Sequence, residues 1–228
     1  METEAKELGI IYEPVKISTW KDEAKFIVPG VNYRGKTGTY RFFEQMTPAM
    51  TQDKLAELYE IEKQKGNPHL TDAPLIWAIS TRSYDLRNEN PEEAERLRQL
   101  LKKGFRQYPN TLTRVIYNPS EEDKIIHNYN TSGEYSIDAN VVGLDGQMES
   151  ISDKNVLESL LGTKDVIKIN EVSQWVNRTN SFIWRLNLKP TNKVEKIVRF
   201  GAGVSRLGLL CDWFPLGGYP AFRVLEVE

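Results

Sequence analysis

The sequence contains very little of what metal sites and disulfides need. Its 228 residues include one cysteine, Cys211, and two histidines, His69 and His127. A single cysteine excludes a disulfide within the chain, and three soft ligands without paired spacing argue against a structural zinc site. We therefore expect no metal and no other cofactor. Cys211 lies in an apolar run, so we interpret it as a buried core residue rather than a nucleophile.

Long apolar runs and a strong net charge are also absent. No window approaches the roughly 18 consecutive apolar residues of a membrane-spanning helix, so no membrane partner is expected. The first residues, METEAKELGIIYEPVK, carry acids early and lack the apolar core of a secretion signal. The sequence thus predicts a soluble, cytoplasmic protein. The formal net charge of −2 gives no global signature of nucleic-acid binding.

What the chain does contain is an ordinary globular composition, with 39% hydrophobic and 27% charged residues. From about residue 51 to 108, apolar positions recur at helical spacing. Thr51 and Asn90 are residue types that cap helices, and Pro91 suits a first helical position. These signals predict three helices, the last of which ends at Pro109.

After Pro109 the apolar pattern changes from helical to alternating. Residues 135–141 alternate apolar and polar side chains as a half-buried strand does, and a similar alternation runs from Phe182 to Leu188. Two short helices are expected between these strands, over about 152–162 and 164–176. The C-terminal part is therefore predicted to be rich in sheet.

Taken together, these patterns predict an α+β fold. We expect a helical N-terminal half, about residues 51–108, packed with a largely antiparallel, sheet-rich C-terminal half. No long structureless stretch marks a linker, so we predict one domain over residues 1–228. A division into a helical part, 1–109, and a β-rich part, 110–228, is the alternative.

One stretch, GVNYRGKT, matches the phosphate-loop pattern G-x-x-x-x-G-K-[ST] at Gly30, Gly35, Lys36 and Thr37. A working phosphate loop needs a buried strand before it, small residues within it and a helix that begins at its lysine. Here the interior residues are bulky and the residues that follow are poor helix starters. We favour a β-hairpin with its turn at 35–38, and a nucleotide-binding enzyme is the alternative.

Catalytic constellations are missing from the local sequence. The pattern Gly-x-Ser-x-Gly is absent, so an esterase-type nucleophile has no support. Asp145 and Asp212 end apolar segments, and Asp138 lies in the alternating strand; a metal-dependent hydrolase would need these carboxylate oxygens to converge. We therefore identify no catalytic residue and keep the hydrolase as a further alternative.

A basic run marks the end of the third predicted helix. Cations there could contact nucleic-acid phosphates, but they are also favoured at any helix C-terminus. The second interpretation is preferred, and the basic face at 96–106 is the one feature through which a nucleic acid could bind. The run consists of Arg96, Arg98, Lys102, Lys103 and Arg106.

The most suggestive segment for ligand binding is the turn-rich stretch near the C-terminus. It places three aromatic side chains among glycines and prolines, a composition used both by binding platforms and by the rims of cores. We assign the candidate ligand-binding residues as Asp212, Trp213, Phe214 and Tyr219. The leading hypothesis is a non-catalytic binding protein with a protein or peptide partner.

Overall fold

A β-hairpin opens the described part of the chain, which in this computed structural model comprises residues 25–66 and 69–227. Strands β1 (Lys25–Tyr33) and β2 (Lys36–Phe43) pair in antiparallel register. Arg34 and Gly35 join them with φ of 53° and 72°, the two positive values that a tight hairpin turn requires. The hairpin prediction is confirmed, with the turn at 34–35 instead of 35–38. The N-terminal residues behind the cytoplasmic prediction lie outside the described residues.

Three capped helices follow the hairpin. The side chains of Thr51, Asp72 and Asn90 accept hydrogen bonds from the backbone N–H three residues on, so each helix begins where its cap residue stands. The caps predicted at Thr51 and Asn90 are confirmed. The helices are α1 (Gln52–Gln64), α2 (Ala73–Asp85) and α3 (Pro91–Phe105), with a short strand β3 (His69–Leu70) before α2 and a 3₁₀ turn at Leu86–Asn88 after it.

The second half alternates between strands and helices. Its strands are β4 (Asn110–Tyr117), β5 (Asp123–His127), β6 (Tyr135–Ala139), β7 (Gly146–Gln147), β8 (Ser181–Trp184), β9 (Val194–Ala202), β10 (Leu207–Trp213) and β11 (Arg223–Val227). A 3₁₀ turn (Met148–Ser150) and helices α4 (Asn155–Leu161) and α5 (Val166–Asn177) lie between β7 and β8. A left-handed Gly162 ends α4, as glycine commonly does.

The strands form two sheets. The smaller sheet has the order β1-β2-β11-β3 and is antiparallel throughout. The larger has the order β6-β5-β4-β9-β10-β8-β7 and is antiparallel except for the β8–β10 pair. Within the described residues, no helix combines the length and apolarity needed to cross a membrane.

One buried apolar cluster contains side chains from both sheets and from helices α2 to α5. Phe105 of α3 contacts Phe200 of the larger sheet, with ring centres 5.2 Å apart. It also meets Phe222, which in turn lies 5.2 Å from Phe42 of the smaller sheet. A chain of rings therefore connects the two sheets through α3.

The prediction of a helical N-terminal half is wrong. Strands β1 and β2 precede the helices, and helices continue to residue 177, so the chain mixes both elements along its length. The physical reason is that β2 obtains its second partner from β11, at the far end of the described chain. Local periodicity identifies each element but carries no information about this pairing.

Candidate functional site

The aromatic turn, residues 213–220, connects β10 to β11 and projects two apolar side chains into solvent. Phe214 is 66% exposed and Leu216 is 83% exposed. Backbone bonds hold the turn in place: the Gly217 N–H donates to the Phe214 carbonyl, and Tyr219 pairs with Met50 through two bonds of 3.1 Å. The turn thus presents its apolar residues on an anchored backbone.

Beneath this turn lies a buried arginine. Arg199 of β9 is only 3% exposed, and its guanidinium carbon lies 3.5 Å from the ring centre of Trp213 and 4.2 Å from that of Tyr219. Tyr108 adds a third ring at 5.3 Å. The Arg199 Nε and Nη1 atoms are buried without a hydrogen-bond partner. Across residues 25–66 and 69–227, no carboxylate forms an ion pair with it.

Another buried arginine provides a contrast. Arg114 of β4 is 4% exposed, yet its guanidinium is fully engaged, because a buried cation is costly unless it is paired and hydrogen-bonded. Its acceptors are Gln52 Oε1 at 2.8 Å, Asp53 Oδ1 at 3.0 Å and Glu195 Oε2 at 3.0 Å. Both guanidiniums lie over aromatic rings, Arg114 at 3.5 Å from the ring centre of Tyr129, but only Arg114 of the two also has carboxylate partners in the described ranges.

A lysine extends the positive charge under the turn. The Lys196 Nζ lies 3.7 Å from the ring centre of Phe214. Burial lowers the pKa of Lys196, and the nearby carboxylate of Asp212 partly opposes this shift. The Oδ1 atom of Asp212 is itself buried without a hydrogen-bond partner. Two cations and one carboxylate therefore lie on β9 and β10, next to the aromatic turn.

The structure brings together three of the four residues predicted to bind a ligand. Trp213 lies 5.7 Å from Tyr219 and 6.4 Å from Phe214 between ring centres, while Asp212 precedes them on β10. Sequence reasoning missed Arg199. The strand register identifies Arg199, because it places Trp213 opposite Ile197. Ile197 and Arg199 are two positions apart on β9 and therefore share a face of the sheet.

A separate cleft of about 570 Å³ opens between the first hairpin, helix α2, strand β6 and residues 158–163. Its wall includes Trp77, Ile137 and Leu161 as apolar side chains, and the guanidinium of Arg34 lies among its lining groups. The cleft shares no residue with the aromatic turn. Its volume falls within the range of small-ligand pockets, about 300–1,000 Å³.

A buried carboxylate organises one side of this cleft. Asp72, which is fully buried, caps α2 by accepting the Leu75 N–H and also accepts the hydroxyls of Tyr33 at 2.6 Å and Tyr135 at 3.4 Å. Burial, reinforced by Asp72, raises the pKa of both tyrosines. Both phenols are therefore neutral donors that fasten the hairpin and β6 to the start of α2.

His127 lies at the same cleft but is committed to structure. Its Nε2–H donates to the Ser159 carbonyl at 2.8 Å, so Nδ1 is the acceptor for the Thr113 hydroxyl at 3.0 Å. Burial lowers the pKa of this fully buried imidazole. His127 is thus a buried residue of β5 whose ring joins β4, β5 and α4.

Most charges on the cleft wall are already paired. Arg82 forms a bidentate bridge to Glu89 and donates from Nε to the Pro29 carbonyl, Lys168 contacts Asp85, and Glu158 contacts Lys164. Arg34 differs from these groups. Its guanidinium lies 3.9 Å from the ring centre of Tyr135, and it has no ion-pair partner in the described part of the chain.

The phosphate-loop match lies in this hairpin. Gly30 has φ of 72° at a bulge of β1, Gly35 occupies the turn, and Lys36 and Thr37 begin β2, where both are exposed. A strand, not a helix, starts at the lysine. The backbone N–H groups of a helix start, which would hold phosphates in a working loop, are thus not formed at this position.

The other sequence-based candidates are separated or engaged. Asp138 lies opposite Lys124 at the edge of the larger sheet, and Asp145 accepts the Arg185 N–H at 2.8 Å. Asp212 lies on β10. In the described ranges, no three acidic, histidine or cysteine side chains come close enough together to hold a metal ion. The expected burial of Cys211 is confirmed, and it raises the pKa of the thiol.

The basic face on α3 is partly neutralised. Arg96 bonds to Glu93 at 2.9 Å, and Arg98 forms a bidentate pair with Glu95 at 2.6 Å. Both acids precede their arginines by three residues on the same helix, a pairing that stabilises helices by itself. This geometry supports the interpretation of the run as a helix surface.

Comparison with known proteins adds no relative: no family model, no curated protein and no solved structure matches the chain.

Proposed function

We propose that this protein is a non-catalytic binding protein that recognises a protein partner through the aromatic turn. The observation that carries the proposal is the pair of exposed side chains, Phe214 and Leu216, on a turn fixed over the buried guanidinium of Arg199. Trp, Tyr and Arg are the residue types that contribute most to binding energy in protein interfaces. The aromatic turn supplies the tryptophan and the tyrosine beside its projecting apolar pair, and Arg199 of β9 lies beneath them.

Preorganisation supports this use of the turn. Asn110 donates to the Gly217 carbonyl at 3.2 Å, and the Trp213 and Tyr219 rings flank Arg199. A turn whose backbone is held by such contacts loses little conformational entropy on binding. Phe214 and Leu216 can therefore insert into an apolar pocket of a partner without first being ordered.

Charge indicates the chemistry of that partner. Arg199 and Lys196 carry two positive charges beneath the turn, and Asp212 offsets one of them. A partner pocket with carboxylates at its rim would complement the remaining positive charge. We therefore propose an apolar pocket or peptide flanked by aspartate or glutamate residues.

The experiment is a selection of displayed peptides. A random peptide library is bound to the wild-type protein after removal of peptides that bind a Phe214→Ser/Leu216→Ser variant. We expect enriched peptides to combine aliphatic or aromatic residues with acids, and their affinity to fall as salt is raised. Leu188→Ser is the matched control, because Leu188 is 81% exposed but lies outside the turn.

Two results would contradict the proposal. One is a library in which no peptide is enriched on the wild type once the peptides that bind the double variant are removed, and the other is enrichment without acidic residues. Analytical ultracentrifugation of the wild type and the double variant tests whether the turn instead mediates self-association. A wild-type dimer that the double variant abolishes would make the partner a second copy of this chain.

The compartment belongs to the same proposal. Cys211 is a free, buried thiol, which agrees with a reducing, cytoplasmic environment. Recovery of the protein in the cytosolic fraction of its source cells would support this assignment, and recovery outside the cell would contradict it.

A further inference from the structure

We propose that the cleft between the first hairpin and helix α2 is a binding site for a small carboxylic acid with a flat apolar body. The carboxylate is held by the guanidinium of Arg34, and the apolar body lies against the wall that includes Trp77 and Ile137. This site is independent of the aromatic turn and of the partner proposed for it.

Arg34 is suited to bind an anion that comes from solution. It is exposed, and its guanidinium is positioned over the Tyr135 ring at 3.9 Å. An arginine stacked on a ring keeps its planar N–H donors for a carboxylate, which it can grip with two parallel bonds. Among the described residues it is the cation of the cleft wall that has no carboxylate partner.

The rest of the wall fits the apolar part of such a ligand. Trp77 is 3% exposed and packs nearly parallel to Phe200, with ring centres 6.2 Å apart. Its indole Nε1–H is buried without a hydrogen-bond partner. Ile137, at the edge strand β6, is 37% exposed and gives the cleft an accessible apolar side chain.

The cleft is also built before any ligand arrives. Tyr33 and Tyr135 are both fixed to Asp72, and Arg82 holds the β1 bulge through the Pro29 carbonyl at 2.7 Å. The guanidinium of Arg82 lies against Gly30, where an added Cβ would approach its Nε to 3.2 Å. The hairpin that carries Arg34 is therefore positioned by contacts beside its turn, at Tyr33, and at its bulge, at Pro29 and Gly30.

The test is an NMR titration of the full chain with three probes: sodium benzoate, benzamide and inorganic phosphate. Benzoate has the carboxylate and the ring, benzamide lacks the charge, and phosphate lacks the ring. Trp77→Phe identifies the Trp77 indole N–H signal among those of the five tryptophans. We expect benzoate to shift this signal and the hairpin amides, and the other two probes to leave them in place.

Arg34→Gln should weaken benzoate binding about tenfold or more, since a charge-assisted bidentate contact is lost. Arg178→Gln is the matched control: Arg178 is also an exposed arginine with left-handed φ, 60° against 53° for Arg34, but it lies at the end of α5. Unchanged spectra with benzoate at tens of millimolar would overturn the proposal. Equal benzoate affinity in Arg34→Gln, or equal shifts with benzamide or phosphate, would overturn it as well.

Discussion

Tyr33 donates a hydrogen bond of 2.6 Å to Asp72, and this bond connects the end of β1 to the first turn of helix α2. The two residues are 39 positions apart. Because the same carboxylate caps the helix, one buried group stabilises a local element and its tertiary neighbour together.

Removing the Tyr33 hydroxyl should therefore weaken the fold. We expect Tyr33→Phe to lower the free energy of unfolding by about 2 kcal/mol, since a hydrogen bond to a charged group contributes about 1.5–3 kcal/mol. Tyr135→Phe should cost less than half as much, because its bond to Asp72 is 3.4 Å long. Urea denaturation measures both. Lys36→Ala, on the exposed side of the hairpin, is the control, and equal losses in the two tyrosine variants would contradict this order.

Replacement of Arg114 and of Arg199 by methionine should affect the stability of the protein differently. Arg114→Met removes the partner of Asp53 and Glu195, both partly exposed, and leaves Gln52 without its donor, so we expect a loss of about 2 kcal/mol. Arg199→Met removes an unpaired buried cation while keeping an unbranched chain between the rings. It should change stability by less than about 1 kcal/mol. A loss at Arg199 as large as that at Arg114 would show that its aromatic contacts compensate fully for burial of the charge.

Close packing around the parallel strand pair gives a steric prediction. A Cβ at Gly208 would lie 1.9 Å from the Trp184 ring, so Gly208→Ala should destabilise the protein by about 2–3 kcal/mol. Gly146→Ala is the control, because nothing lies within 4 Å of its added Cβ. In a Trp184→Ala background the Gly208→Ala change should cost little. If thermal melts showed that the stability losses of Gly208→Ala and Trp184→Ala simply add in the double variant, the clash with the Trp184 ring would not be the cause.

His127 predicts how stability depends on pH. Its folded pKa is lowered by burial, so the unfolded chain binds a proton more readily than the folded protein. This contribution to stability is complete above the unfolded pKa of about 6.5 and is lost as pH falls below it, by up to about 1.4 kcal/mol per pH unit. Denaturation between pH 7.5 and 5 should show a steeper decline for wild type than for His127→Gln. Parallel curves would mean that His127 titrates alike in both states.

Local signals predicted much of the fold. Thr51 and Asn90 cap helices, as their residue types predicted. The bulky residues within GVNYRGKT predicted a hairpin, and the structure has one with its turn at Arg34 and Gly35. The alternation from Phe182 to Leu188 predicted too long a strand, because β8 ends at Trp184 and Leu188 is 81% exposed. Alternation describes which side chains share a face and carries no information about where pairing stops.

The two candidate sites were mostly beyond the reach of sequence reasoning. The aromatic residues of the turn could be proposed from composition, but the arginine between them comes from another strand. In the cleft, Tyr33, Asp72 and Tyr135 meet from three separate elements, and each residue type is common. Such convergence depends on strand order and register, which this sequence does not reveal locally.

The pairing of β2 with β11 has a consequence for synthesis on the ribosome. Phe42 lies opposite Val224, and the Ala221 N–H bonds to Thr47 across 174 positions of sequence. Translation delivers the first hairpin long before the strand that flanks it. For most of its synthesis the nascent chain therefore carries an uncovered strand edge beside Tyr40 and Phe42, which are buried in the finished protein. Chaperones that bind apolar segments during translation would therefore find a target in this hairpin.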